Sequence, residues 1–532
     1  MKNTKKIFAV MTSLMLLSGA VACGEKSEDG GNKPAATDIV VYAGGSSEFS
    51  WVKGSKEEEV IDYIEQKYYE DTQISLNFKV NTEMGKDMKN SIATDVRDGK
   101  VDVVISHTSG GDGIDDWMFN NSAYADLRRY VSNYKMDKSG VFEWSDGTNT
   151  YNALTRMKTG TEYIGIPSVI NPYKFGILVR KDWMEAAGYT DDATDTTKTY
   201  VGDFETFTEM ALAVKTQQKL DYAVTGAIFD VEKAGLLGAC GVDAGYYSNT
   251  VYSENGTNYV GPGYINPDYA EVLEIEYEWM TQGVLAPDCD NILLTQGENN
   301  FIAGKSAVFL QDPSVEHLIE VARRAKAANP EAEFTVLGAL TKDKNSTEKG
   351  FMRNSVASFA ACITKNSKNV KTIMAFLNWM YSSEENYLLC KYGRAGIDWI
   401  YDRENGTYGY ATEADYVNPP YSGILSFVDN QNMADLTYAG YTEEEKSWIA
   451  TARDKNNYVD NDTVDYLLLI SNTELSTAAG NAAINISTTI RPIWNGKTTV
   501  DKFETARLGY MTTAKAYMQE MYSTYAALSG KA

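Results

Sequence analysis

Histidine is almost missing from this chain: there are 2 among 532 residues, His107 and His317. No HExxH pair is available to hold a catalytic zinc, and neither GxSxG nor a phosphate-cradling GxxxxGK[ST] occurs. Cysteine is also scarce. The five are Cys23, Cys240, Cys289, Cys362 and Cys390. None forms CxxC or zinc-ligand spacing, so the last four read as buried thiols, and any disulfide among them cannot be paired from sequence. Positive charge is short as well. Lys and Arg number 49 against 73 Asp and Glu, a net −24, which argues against nucleic acid and against flat contact with anionic lipid. Scarce histidine does not exclude a hydrolase working with two carboxylates, but no segment resembles such a motif. Asp460-x-Asp462-x-x-Asp465 lacks the glycine and terminal glutamate of a calcium loop. The sequence implies no cofactor and no metal.

Long apolar runs are missing too. Ile7–Leu17 spans 11 residues, where a bilayer needs roughly 20. Lys2, Lys5 and Lys6 precede it, and the small residues Ser18, Gly19, Ala20 and Ala22 follow, which is the layout of a secretory signal over residues 1–22. Without those lysines the remaining chain carries about −27. Ala20-Val21-Ala22-Cys23 resembles a bacterial lipobox, in which the peptide is cut before the cysteine and the thiol is lipidated. Alanine stands where leucine is commoner. The alternative is an ordinary secretory signal with an incidental cysteine. Residues 23–37 hold no large apolar residue and read as a flexible tether.

The remaining length exceeds one core and predicts two lobes. Aromatic residues make up 12%, with 36 tyrosines, and such rings suit sugar faces as well as protein interiors. Residues 38–43, 74–80 and 101–106 read as strands, with helices over 57–69 and 81–97 between them. That β-α-β-α-β spacing predicts a parallel sheet with ligand loops at the strand ends. Further along, a strand is expected over 175–180 and helices over 181–188, 204–217 (capped by Asp203), 270–281 (closed by Gly283) and 368–381. Residues 301–310 read as a turn and strand. The final ~30 residues read as helical, with Tyr510, Ala514, Met518 and Met521 in phase.

Several of these segments together resemble one family. DGKVDVVIS (98–106), SAYADLRRYV (122–131), GIPSVINPYKFGILVRKDWMEAAGY (165–189), VGDFETFTEMALAVK (201–215), FIAGKSAVFL (301–310) and NVKTIMAFLNWMYSSEENYLLCKYG (369–393) are similar, in order and spacing, to segments of family 1 extracellular solute-binding proteins of bacterial ABC importers, within them the LipO-like sugar-binding lipoproteins. The match runs to about Trp399. Arg394 and Ala395 stand where the family's long members often carry a glutamate.

The resemblance implies an α/β, two-lobe periplasmic-binding-protein-like fold of type II, with a hinge and an interlobe cleft. The N-terminal lobe would hold 38–168 and about 355–395; the C-terminal lobe would hold 169–354 and about 396–532. Crossings are expected near Pro167–Tyr173 and Phe351–Ser358. The ligand would be a carbohydrate, an oligosaccharide in preference to a monosaccharide. The partners would be the permease subunits of an ABC importer, and lipidated Cys23 would hold a monomer on the outer face of the cell membrane. The family's cleft-lining regions point to Ser46, Ser47, Glu48, Trp51, His107, Thr108, Asp112, Trp117, Asn171, Tyr173, Gln311, Asp312, Asp398, Trp399 and Tyr401. Plainer readings stand beside some of these: Glu48 as a solvated charge, His107 as a neutral hydrogen-bonding group, and Asp312 as a helix cap. Trp183 and Trp379 lie on helices and read as packing. Rival functions on the same anchor are capture of a peptide or other solute, a glycan-degrading enzyme, and an adhesin. Oligosaccharides left intact distinguish a binder from the enzyme.

Overall fold

The computed structural model describes residues 34–43, 53–81, 88–107, 117–118, 121–136, 163, 165–246, 248–310, 314–347, 349–352, 359–459, 463–464 and 473–529. The first lobe is built on a five-stranded sheet in the order Leu76–Asn81, Thr37–Ala43, Val103–His107, Phe359–Ile363, Ile166–Pro167. The first three strands are parallel, as their spacing predicts. Phe359–Ile363 returns from far along the chain and runs antiparallel between its two neighbours. The helix Glu57–Thr72 opens with three glutamates, which favour the positive end of the helix dipole, and buries Val60, Ile61, Ile64 and Tyr68. Tyr68 meets Phe376 and Trp379 edge-on, 5.5 and 5.3 Å between centroids. This locks the first helix to the amphipathic helix Val370–Met380, whose apolar stripe the sequence predicts. Trp379 is packing, as expected, with its Nε1–H donating to Asp71 at 2.9 Å.

The second lobe has a four-stranded sheet, Phe334–Leu337, Ile177–Arg180, Val308–Phe309, Val224–Thr225. Side chains alternate across a strand, so Ile177 and Val179 enter one core and Leu178 the other. Helices Phe204–Gln218 and Tyr269–Gln282 cover the first of these faces. Asp203 caps the former by accepting from the Thr206 backbone N–H at 2.7 Å. The turn-and-strand expected over 301–310 is corrected: Phe301 and Ile302 end the helix Leu294–Ile302, and the strand shrinks to Val308–Phe309. Trp183 packs under the Arg180 guanidinium, 3.9 Å from its ring. The four described cysteines are free and buried. Burial pushes the Cys240 thiol up to about 12, which keeps it unreactive.

Residues 396–532, expected mainly on the second lobe, divide three ways. Tyr421, Ile424, Leu425, Phe427 and Val428 sit in the first lobe's core. Tyr438, Tyr441, Trp448 and Ile449 cover the Leu178 face of the second sheet. Residues 479–518 join the Ile177 face, and the paired helices Asp501–Thr513 and Lys515–Ser529 bury Tyr510, Ala514 and Met518 there. Periodicity predicts that these segments have an apolar side. It does not say which exposed core receives it.

Two passages between the lobes therefore run side by side. The Val169 N–H donates to the Asp429 carbonyl at 2.7 Å, and the Gln431 N–H donates to the Val169 carbonyl at 2.7 Å. The Gln431 side-chain oxygen accepts the Asn171 backbone N–H. This short hinge ribbon ties the two crossings together.

Candidate ligand-binding site

Beside that ribbon lies a cavity of about 380 Å³. The helix Glu384–Tyr392, capped by the Ser383 hydroxyl accepting from the Asn386 N–H at 3.1 Å, supplies one wall. Tyr387 and Lys391 are four residues apart and share a face, with Tyr392 next to them. The hairpin Ile400–Asp402 and Thr407–Gly409 adds Tyr408 and, just beyond, Tyr410. Its turn closes on Asp402, which accepts the Glu404 and Asn405 N–H groups, and Gly406 at φ 63° completes it. The short helix Glu413–Val417, capped by Thr412, contributes Tyr416. The hinge ribbon contributes Asp429 and Gln431, and the second lobe's helix Val315–Ala328 contributes Glu320. The cavity thus touches both lobes and the hinge.

Six tyrosines line it, in two roles. Tyr387 and Tyr421 are buried and pinned. The Tyr387 hydroxyl accepts the Asn430 N–H at 2.6 Å; the Tyr421 hydroxyl donates to the Cys390 carbonyl at 3.1 Å and accepts the Leu425 N–H at 3.0 Å. Tyr392, Tyr408, Tyr410 and Tyr416 are half-buried. Tyr392 lies against Tyr408 with centroids 5.2 Å apart, and Tyr416 stacks on Tyr438 at 3.9 Å. Burial pushes the Tyr410 phenol up to about 12 and raises Tyr392 and Tyr408 further, so all stay neutral hydrogen-bonding groups at physiological pH. Lys391 pairs with Asp429. Aromatic faces with hydroxyl, amide and paired charged tips can stack on the C–H face of a ring and exchange hydrogen bonds with its hydroxyls.

Ser46, Ser47, Glu48, Trp51, Thr108, Asp112, Gln311 and Asp312 lie outside the described residues, as do Cys23 and the Asp460–Asp462–Asp465 cluster. His107 ends its strand opposite Phe359. Trp117 packs on the first core with the Arg97 guanidinium 5.8 Å from its ring. Asn171 is buried in the crossing, its side-chain oxygen accepting the Tyr173 N–H at 2.9 Å. Tyr173 meets Tyr458 edge-on at 5.0 Å.

The late cluster Asp398–Tyr401 is scaffolding rather than lining. The Asp398 side chain is 0% exposed and accepts from Arg394 Nε at 2.7 Å and Nη2 at 3.0 Å. Burial alone would raise its carboxyl, but Arg394 and Lys56 outweigh that and hold it below the ordinary value. Gly393, at φ 85°, is needed here because a Cβ would lie 3.0 Å from the Asp398 carboxylate. Arg394, in the segment where the family's long members often carry a glutamate, also reaches Glu59 at 2.7 Å. Trp399 is 2% exposed, stacked against Tyr392 and Tyr401, with its Nε1–H donating to the Gly393 carbonyl at 3.0 Å. The Tyr401 hydroxyl donates to Glu384.

Residue-by-residue reading missed Tyr408, Tyr410, Tyr416, Lys391, Asp429 and Gln431. One signal was available: 9 of the 36 tyrosines fall within residues 387–441.

No protein-family model matches this chain, and no curated protein matches it by sequence. Solved structures do resemble it. NgtS, an N-glycan transport solute-binding protein from Streptococcus pneumoniae, has a TM-score of 0.61 at 15% identity, over 93% of this chain and 100% of its own. An HMO-binding, ABC-transporter-associated solute-binding protein from Bifidobacterium longum infantis has a TM-score of 0.60 at 13% identity, over 92% and 99%. FusA, an ABC-transporter substrate-binding protein from S. pneumoniae solved with kestose, has a TM-score of 0.54 at 12% identity, over 92% and 100%. Identities this low carry the architecture and not the ligand. This chain has the two-lobe α/β fold of the solute-binding proteins of ABC transporters.

Proposed function

We propose that this chain is the receptor of an ABC importer. It captures an oligosaccharide between its lobes, performs no chemistry on it, and is held on the outer face of the cell membrane by lipidated Cys23. The observation that carries this reading is the tyrosine-walled cavity bounded by both lobes and by the hinge ribbon. A ligand there touches Asp429 and Gln431, whose own atoms join the two crossings, so occupancy and hinge geometry are mechanically linked. Closure is then driven by the ligand's greater affinity for the closed arrangement. The closed form would dock on the permease subunits.

A thermal-shift screen of mono- and oligosaccharides tests this. A ligand at about 100 times its Kd adds about 2.7 kcal/mol to the folded state, and oligosaccharides are expected to raise the melting point. If peptides raise it and no sugar does, the carbohydrate reading is wrong. In the same assay Tyr410→Ala removes a half-exposed cavity ring and is expected to weaken sugar binding about tenfold or more, about 1.4 kcal/mol, with its far-UV spectrum unchanged. Unaltered affinity would move the site elsewhere.

A further inference from the structure

We infer that the tyrosine cavity accepts uncharged glycan units and discriminates against glycans built of uronate residues; this rests on the carbohydrate reading above. The charges around the cavity decide it. Among the described residues three charged side chains line it, Glu320, Asp429 and Lys391. Lys391, the single cation among them, is taken by Asp429. The guanidiniums nearest on the second lobe are committed too. Arg323 binds Glu445 through Nε at 2.6 Å and Nη2 at 2.8 Å, and Arg324 binds Glu298 at 2.5 Å. Asp435, on the far side, is held by Arg453 at 3.2 Å.

Among the described residues, Glu320 is left as a carboxylate on the wall with no lysine or arginine in ion-pair distance; partial burial raises its carboxyl, and the more distant His317, Arg324 and Arg323 act against that rise. The remaining polar surface is neutral: phenols held protonated by burial, the Gln431 amide and the Ser422 hydroxyl. Such groups pair equally well with sugar hydroxyls as donors or acceptors. A uronate carboxylate needs a free cation or a cluster of N–H donors to replace its hydration. Here it would meet Glu320 instead, and the chain's net −24 opposes its approach.

Isothermal titration of the full chain tests this, with neutral gluco-, manno- and xylo-oligosaccharides against oligogalacturonates and oligomannuronates of equal length, at low and high salt. The uronates are expected to bind about tenfold or more weakly than the best neutral chain, the order given by one like charge about 6 Å away at an intermediate dielectric. Their deficit should widen at low salt, where repulsion is unscreened. Glu320→Gln should narrow the ratio between the two classes. Uronates binding as tightly as neutral chains, and more tightly at low salt, would overturn the inference while leaving carbohydrate capture intact. Failure of both sugar classes, with peptides binding instead, would remove the underlying reading and this inference with it.

Discussion

Trp399→Ala is expected to lower the folding free energy by about 3–5 kcal/mol, the usual cost of emptying a buried large-aromatic site. The ring is stacked against Tyr392 and Tyr401, and its indole N–H satisfies the Gly393 carbonyl. Removing it opens a void behind the cavity wall and strands a buried acceptor, so both effects act in the same direction. Trp399→Phe keeps most of the packing but loses the hydrogen bond, and should cost clearly less. Urea unfolding followed by circular dichroism measures both. An alanine variant as stable as the native chain, yet unable to bind sugar, would make Trp399 a ligand platform and contradict the packing seen here.

The second large effect concerns pH. Glu232 and Glu276 are fully buried in the second lobe, close enough to act on each other's charge, and each keeps one carboxyl oxygen without a hydrogen-bond partner. Glu232 accepts from the Tyr269 hydroxyl at 2.6 Å, and Glu276 accepts from Trp494 Nε1–H at 2.8 Å. Two neighbouring buried carboxyls oppose each other's ionisation. Burial pushes Glu232 up to about 7 and Glu276 well above the ordinary carboxylate range; Lys233 and the Tyr246 backbone moderate Glu232 only partly. The unfolded chain releases these protons at an ordinary glutamate value, so the folded state holds more protons between about 4.5 and 7. Stability therefore falls as the pH rises through that window, and the ionisation of Glu276 carries the fall to higher pH.

Glu276→Gln keeps an acceptor for Trp494 and gives Glu232 a permanent donor. The variant is expected to gain on the native chain steadily from pH 5 to pH 8, measured as the difference in unfolding free energy, in which other titrations cancel. A difference independent of pH would show that the pair does not hold the proton. Trp494 lies on the C-terminal segment, so ionising the pair also loosens that segment's attachment to the second lobe.

The parts of the site that local pattern exposes and the parts it hides separate cleanly. Helix Val370–Met380 and the three parallel strands were legible because an apolar stripe at helical spacing, or a short buried run between turns, has few alternative structures. Trp399 was legible as an important aromatic but not in its role. A tryptophan in a loop looks the same whether it faces a ligand or two tyrosines. A crossing near Pro167 is what the resemblance implies, whereas the segment around Asp429–Gln431 that bridges to Val169 comes from a stretch where the resemblance fades.

By itself the sequence determined the α/β class, the likeness to two-lobe binding proteins, the acidic balance, and most of the described elements up to residue 399. These depend on composition, short-range periodicity and order along the chain. The tertiary structure alone decided which tyrosines share a cavity, that Asp398 and Trp399 are its scaffold, and that Glu232 meets Glu276. It also decided that residues 421–428 close the first lobe while later segments cover the second. The reason is physical: contacts between residues tens to hundreds of positions apart depend on which apolar surfaces meet when the chain collapses, and no local pattern encodes that choice.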